Sequence, residues 1–94
     1  MPIVADVKLQ NLVDNVYKGV DNPNRIGAGT LGDAIRHELK TGQQVQNKWH
    51  IQKGEDTIRG LEKWIANTPH ALEVEKQVAW DIITDLKDAL GKKQ

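Results

Sequence analysis

The sequence contains no cysteine and no serine. The lack of cysteine excludes disulfide bonds and thiolate metal sites. Acyl-transfer enzymes usually attack with a serine or cysteine side chain, so the absence of both argues against that class of reaction. No apolar run approaches the roughly 18 residues of a transmembrane helix, so we expect no stable membrane insertion by this chain.

Net charge is also lacking, since 13 basic residues balance 13 acidic ones in a chain of 94 residues. Most free-standing nucleic-acid-binding domains are basic, so this balance argues mildly against a protein that simply coats phosphates. The charge is nevertheless uneven along the chain. Residues 25–53 carry five basic and two acidic residues, a net charge of +3: Arg25, Arg36, Lys40, Lys48 and Lys53 against Asp33 and Glu38. Such a local excess is expected where phosphate binds.

Apolar residues recur every three or four positions in four segments, which predicts four amphipathic helices. The second has the clearest ends, because Thr30 is a good N-cap, Asp33 lies in the first turn and Gly42 follows the last residue. Thr68 followed by Pro69 is a typical start for the fourth. The predicted helices cover about residues 5–18, 31–41, 54–67 and 69–90.

This pattern predicts an all-α fold, a small bundle of about four helices that forms one domain over residues 1–94. A long irregular connector, "GQQVQNKWHIQKG", lies between helices 2 and 3. Trp64 and Trp80 belong to amphipathic helices, so we expect both to serve in packing. Trp49 lies in the connector, where core packing explains it less well.

The residue types in the connector favour acid–base chemistry. The three histidines lack the i, i+4 spacing of a helical zinc pair, and the Gly-Ala-Gly at residues 27–29 lacks the lysine of a phosphate loop, so we expect no metal and no cofactor. Cleavage of RNA by its own 2′-hydroxyl needs only a base, an acid and cations near the phosphorus. His50 is a candidate acid or base, and Lys53 and Arg36 are candidate cations. Thr30 and Asp33 lie on the same helical face as Arg36.

The same residues also have an ordinary explanation. His50 and Lys53 could be solvated surface groups and Arg36 the salt-bridge partner of Asp33, which is the commoner situation for charged side chains. The residue types by themselves leave both interpretations open.

A longer motif bears on the choice. "NPNRIGAGTLGDAIRHELKTGQ", followed by "HIQK", "LEKWIANTP" and "DLKDALG", resembles the C-terminal toxin domains of polymorphic bacterial toxins. These domains end contact-dependent growth inhibition effectors and Rhs-type proteins. The resemblance covers roughly residues 22–91, and Ala28 departs from the asparagine expected between the two glycines. The matching positions are Arg25, Gly29, Thr30, Asp33, Arg36, Glu38, Thr41, His50 and Lys53.

The resemblance implies a toxin carried at the C-terminal end of a larger secreted or cell-surface effector. Such a toxin acts in the cytoplasm of the target cell, and a cognate immunity protein neutralises it in the producer. Many of these domains are ribonucleases that attack tRNA, and an elongation factor is a further candidate partner. The catalytic candidates are then His50, Lys53 and Arg36, and the substrate-binding candidates are Thr30, Asp33, Arg25, Trp49 and Glu38.

Two other functions stay open at this point. A toxin of the same delivery system could cut DNA, although the sequence has no clustered carboxylates or paired histidines for metal-dependent chemistry. Alternatively, the chain could be a non-enzymatic helical module in which residues 42–54 dock a partner.

Overall fold

The chain folds as an all-α bundle, as the sequence predicts. The computed structural model describes residues 6–20, 29–45 and 49–91, and within these ranges it contains four helices. They are α1 (Val7–Tyr17), α2 (Leu31–Thr41), α3 (Ile51–Asn67) and α4 (Glu73–Ala89). Part of the connector between α2 and α3, residues 46–48, falls outside the described residues.

One apolar core joins all four helices. Each helix contributes at least one large side chain with almost no exposed surface, including Leu9, Ile35, Leu61 and Leu86. Burying a side chain of this size stabilises the fold by about 1.5–3 kcal/mol. The most extensive packing is between α3 and α4. Among the described residues, no helix is long and apolar enough to span a membrane.

Asp6, just before α1, makes one hydrogen bond through its carboxylate and one through its backbone N–H. The Asp6 carboxylate accepts the backbone N–H of Leu9 at 3.0 Å. This bond is the main cause that lowers the pKa of Asp6 below its usual value, and the nearby indole of Trp64 contributes. The backbone N–H of Asp6 in turn donates to Glu75 Oε2 at 3.1 Å, which joins the start of α1 to α4.

Helix α2 has the ends that its sequence predicts. Thr30 Oγ1 accepts the backbone N–H of Asp33 at 3.3 Å, a bond typical of an N-cap. At the other end Gly42 adopts a left-handed conformation with φ of 70°, and its N–H donates to the carbonyl of Glu38 at 2.8 Å. Glycine suits this position because it lacks the Cβ that disfavours left-handed angles.

Helices α3 and α4 begin at other residues than predicted. Helix α3 starts at Ile51, three residues early, so His50 adjoins the helix instead of lying inside the connector. Helix α4 starts at Glu73, and the predicted start at Thr68 is wrong. The hydroxyl of Thr68 donates backwards to the carbonyl of Trp64, so this residue ends α3 instead of beginning α4.

The two helical tryptophans have different environments. Trp64 is buried in the core, as expected, whereas Trp80, which was also expected to serve in packing, is 46% exposed. The buried face of α4 contains Ala79 and Ile83. Trp80 follows Ala79 by one residue, which rotates it about 100° away from that position. Its side chain therefore lies at the edge of the packed face.

Candidate active site

A buried carboxylate holds His50 at two points. Glu38 Oε1 accepts the backbone N–H of His50 at 2.7 Å, and Glu38 Oε2 lies 2.5 Å from His50 Nδ1. The Glu38 side chain is 0% exposed, while that of His50 keeps 20% of its surface exposed. The two bonds fix both the start of α3 and the orientation of the imidazole ring. We call these two residues the Glu38–His50 pair.

This geometry favours one arrangement of the ring protons. Opposite an ionised Glu38 carboxylate, which only accepts hydrogen bonds, Nδ1 of His50 is the nitrogen that carries the proton. In the neutral ring, Nε2 is then the basic nitrogen. Because Nδ1 faces a fully buried carboxylate, the edge of the ring that carries Nε2 is directed away from α2. Nε2 is the ring nitrogen that Glu38 does not contact, in a side chain that is partly exposed.

Lys53 lies in the first turn of α3, three residues after His50. Positions separated by three residues share a helical face. Because α3 starts right after His50, Lys53 and His50 are expected to lie on the same side of the helix. His50 joins the helical bonding pattern because its carbonyl accepts the N–H of Gly54 at 2.9 Å. Trp49, just before His50, is 53% exposed, which suits a residue that contacts a ligand.

Arg36 belongs to a different group of charges. Its guanidinium binds Asp33 Oδ1 at 3.2 Å, Asp85 Oδ1 at 2.7 Å and Asp88 Oδ2 at 3.0 Å. It also donates to the backbone carbonyl of Asp85 at 3.1 Å. The carboxylate of Asp85 is the main cause that raises the pKa of Arg36 above its ordinary value, and Asp88 and Asp33 add to it. We call these four residues the Arg36 cluster.

The contacts described for Arg36 do not include His50. Arg36 and Glu38 are two positions apart on α2, and at about 100° per residue they point about 200° apart around the helix. One side of α2 therefore faces α4 with Arg36, and the other faces α3 with Glu38. The predicted role of Arg36 at a phosphate beside His50 finds no support in these contacts, because its guanidinium binds three carboxylates.

The predicted substrate-binding residues are divided among these groups. Thr30 and Asp33 lie together with Arg36, as expected, but as an N-cap and a salt-bridge partner. The carboxylate of Glu38 has no exposed surface and both its oxygens bind His50, so its predicted contact with substrate is replaced by contact with the histidine. Arg25 lies outside the described residues.

The pairing of Glu38 with His50 is not among the contacts predicted from the sequence, although a signal for it exists. Glu38 follows the buried Ile35 by three residues and Leu31 by seven, so it lies on the apolar face of α2. A carboxylate on such a face needs a hydrogen-bonding partner, because burying an unpaired charge is costly. His50, in the nearest connector, was an available candidate.

Among the described residues, neither a metal-binding cluster nor the open groove adds a second catalytic group. Within the described ranges, no three His, Asp or Glu side chains are placed to hold a metal ion. An open groove lies between the start of α1 and the second half of α3, with Val7, Leu12 and Trp64 in its wall. It lies along α3 from Gly60 onward and is therefore remote from His50 at the other end of that helix.

Comparison with known proteins finds no matching family model, curated protein or solved structure. The resemblance to toxin domains therefore stands on the sequence motif alone.

Proposed function

We propose that this chain is an antibacterial toxin domain that cleaves RNA without a metal ion, with tRNA as its substrate. The observation that carries the proposal is the Glu38–His50 pair, in which a buried carboxylate orients a partly exposed imidazole. A carboxylate that orients a histidine and stabilises its protonated form is a recurring device in acid–base catalysis. The motif shared with toxin domains supplies the biological setting.

In the proposed reaction, Nε2 of His50 takes the proton from a ribose 2′-hydroxyl. The 2′-oxygen then attacks the neighbouring phosphorus, and the bond from phosphorus to the 5′-oxygen breaks. The 5′-oxygen leaves with a proton from water, and His50 returns its own proton to solvent. The products are a 2′,3′-cyclic phosphate and a 5′-hydroxyl.

Other residues of the site have supporting roles in this proposal. The ammonium of Lys53 stabilises the negative charge that grows on the phosphate oxygens. Glu38 acts through His50 as a positioning residue, because its carboxylate sets the ring orientation and favours the imidazolium that forms. Trp49 stacks on a base near the cleaved bond, a contact worth about 1–3 kcal/mol where it occurs.

The proposed partners follow from the toxin setting. A cognate immunity protein binds the domain in the producing cell, and tRNA binds it in the cytoplasm of the target cell, with an elongation factor as a candidate activator. The domain reaches that compartment as the end of a larger effector.

The test is cleavage of total tRNA in EDTA by the wild-type chain, His50→Ala and the control variant His70→Ala. His70 is an exposed histidine between α3 and α4, so its replacement removes an imidazole away from the site. We expect wild type and His70→Ala to give fragments with 2′,3′-cyclic phosphate ends, and His50→Ala to lose at least about 100-fold in rate.

Two results would reject the proposal. One is intact tRNA with all three proteins when candidate activators are present, and the other is equal cutting by wild type and His50→Ala. Plasmid DNA cut only after magnesium or zinc is restored would instead indicate a DNase. Growth arrest that survives His50→Ala and Lys53→Ala would indicate a non-enzymatic interaction module.

A further inference from the structure

Helices α2 and α3 meet at two matched positions. Glu38 of α2 faces His50, and Ile35, one turn earlier on α2, faces Gly54 of α3. The carbonyl of His50 accepts the N–H of Gly54, so these two residues are also one turn apart. The two pairs therefore lie one helical turn apart between the same two helices.

The position of Gly54 has no room for a side chain. A Cβ atom built on Gly54 would overlap Cδ1 of Ile35, and the next nearest atom, Cγ1 of Ile35, would lie 3.7 Å away. Ile35 is fully buried in the core. A methyl group at residue 54 therefore has to displace the terminal methyl of Ile35 within the core or push the first turn of α3 away from α2.

Helix formation does not explain this glycine. In the interior of a helix, glycine is less favourable than alanine by about 1 kcal/mol. Gly54 is buried in the first turn of α3, and its backbone follows the helix. What matters at this position is therefore that glycine has no side chain to meet Ile35, and its backbone flexibility is not needed.

We propose that Gly54 is a positioning residue for His50: its missing side chain sets the distance between α2 and α3 at which Glu38 binds both the N–H and Nδ1 of His50. The effect on RNA cleavage rests on the proposed function. The effect on the ring of His50 is a geometric consequence that holds whatever the reaction.

The experiment compares wild type with Gly54→Ala by nitrogen NMR of the histidine ring and by amide hydrogen exchange. In Gly54→Ala we expect His50 to lose its single Nδ1–H form in the neutral ring, and its backbone amide to exchange at least about tenfold faster as the bond to Glu38 lengthens. Cleavage of tRNA should fall by about tenfold or more, since small displacements of catalytic groups have effects of this size.

Two further variants separate this effect from a general disturbance of α3. Gly60→Ala makes the same change on the same helix, but there the added Cβ meets Leu12 of α1 at 3.1 Å. Its His50 signals should match the wild type. The double variant Gly54→Ala/Ile35→Val removes the overlapping Cδ1 atom and should restore the His50 ring form and its amide protection.

A wild-type His50 spectrum in Gly54→Ala would overturn the proposal, and so would a double variant that restores nothing. If Gly54→Ala does not fold, the double variant decides: a folded protein with the wild-type His50 spectrum supports the proposal, and an unfolded one overturns it. If the spectra change as expected but the wild type cuts no RNA, the positioning role holds and the proposed function fails.

Discussion

The two sides of α2 use charge in opposite ways. On one side, Arg36 is partly exposed and shared among three carboxylates, two of them from α4. On the other, Glu38 is fully buried and paired with one histidine whose ring reaches the surface. The first arrangement occupies the functional group of Arg36 and joins two helices. The second fixes one nitrogen of a ring and leaves the other outside the pair, which is what acid–base chemistry requires.

The difference shows why the type of a residue is a poor guide to its role. Arginine is a common phosphate ligand, and a buried glutamate is commonly regarded as structural. Here the arginine is engaged in salt bridges, and the glutamate orients the candidate catalytic group. What distinguishes them is how many partners each has and how much of the partner remains exposed.

The largest expected effect is on the buried side of α2. Glu38→Gln keeps the shape of the side chain but places an amide where both oxygens accept hydrogen bonds from His50. One of those bonds must be lost or reversed, which should cost about 1–3 kcal/mol of the free energy of unfolding. Urea denaturation measures the loss, and tRNA cleavage should fall with it by at least about tenfold. If a folded Glu38→Gln variant cleaves tRNA at the wild-type rate, Glu38 does not position His50 for cleavage.

The matched change on the other side is Arg36→Gln, which also removes one charge from α2. Three partly exposed pairs of about 0.5 kcal/mol each should be lost, so we expect destabilisation by about 1.5 kcal/mol. The loss should shrink in 1 M salt, which screens exposed charges. Cleavage per folded molecule should stay near the wild-type rate. If Arg36→Gln lowered cleavage without lowering stability, Arg36 would have a role in catalysis, and the contrast between the two sides of α2 would be wrong.

The smallest effect concerns a charge with a purely structural role, the N-cap of α1. The pKa of Asp6 is lowered in the fold, chiefly by the N–H of Leu9. Its stabilisation is therefore present above its unfolded pKa and is lost as pH falls through its lower folded pKa. Asp6→Asn keeps a capping oxygen but removes the titration. Urea midpoints measured between pH 6 and pH 2 should fall less steeply in Asp6→Asn, and equal slopes would show that this cap does not titrate.

The ends of a helix were predictable from the sequence where the residues that set them lie within the same segment. Helix α2 has its N-cap, its first-turn acid and its terminal glycine within its own segment, and its predicted ends agree with the structure. Helix α3 begins early, at the point where the carboxylate of Glu38, 12 residues upstream, accepts the N–H of His50 just before the helix. Thr68 carries a valid start signal for α4, but its hydroxyl is used by the carbonyl of Trp64.

The positions of the candidate residues were easier to predict than their grouping. The connector contains His50 and Lys53, and both lie at the start of α3. The place of Arg36 depends on Asp85 and Asp88, which are 49 and 52 residues away in the sequence. No local pattern shows which of several charged groups will meet across that separation, because tertiary packing decides it.

The most direct test of the central claim is the tautomer of His50 in the wild-type chain, measured by two-bond proton–nitrogen correlation with the ring in its neutral form. If Glu38 orients the ring, the proton resides on Nδ1, and Nε2 has the nitrogen shift of an unprotonated base. Glu38→Gln should alter that pattern, while Arg36→Gln should leave it unchanged. A neutral His50 with its proton on Nε2 would contradict the account, because the nitrogen proposed to act as the base would then carry no free lone pair.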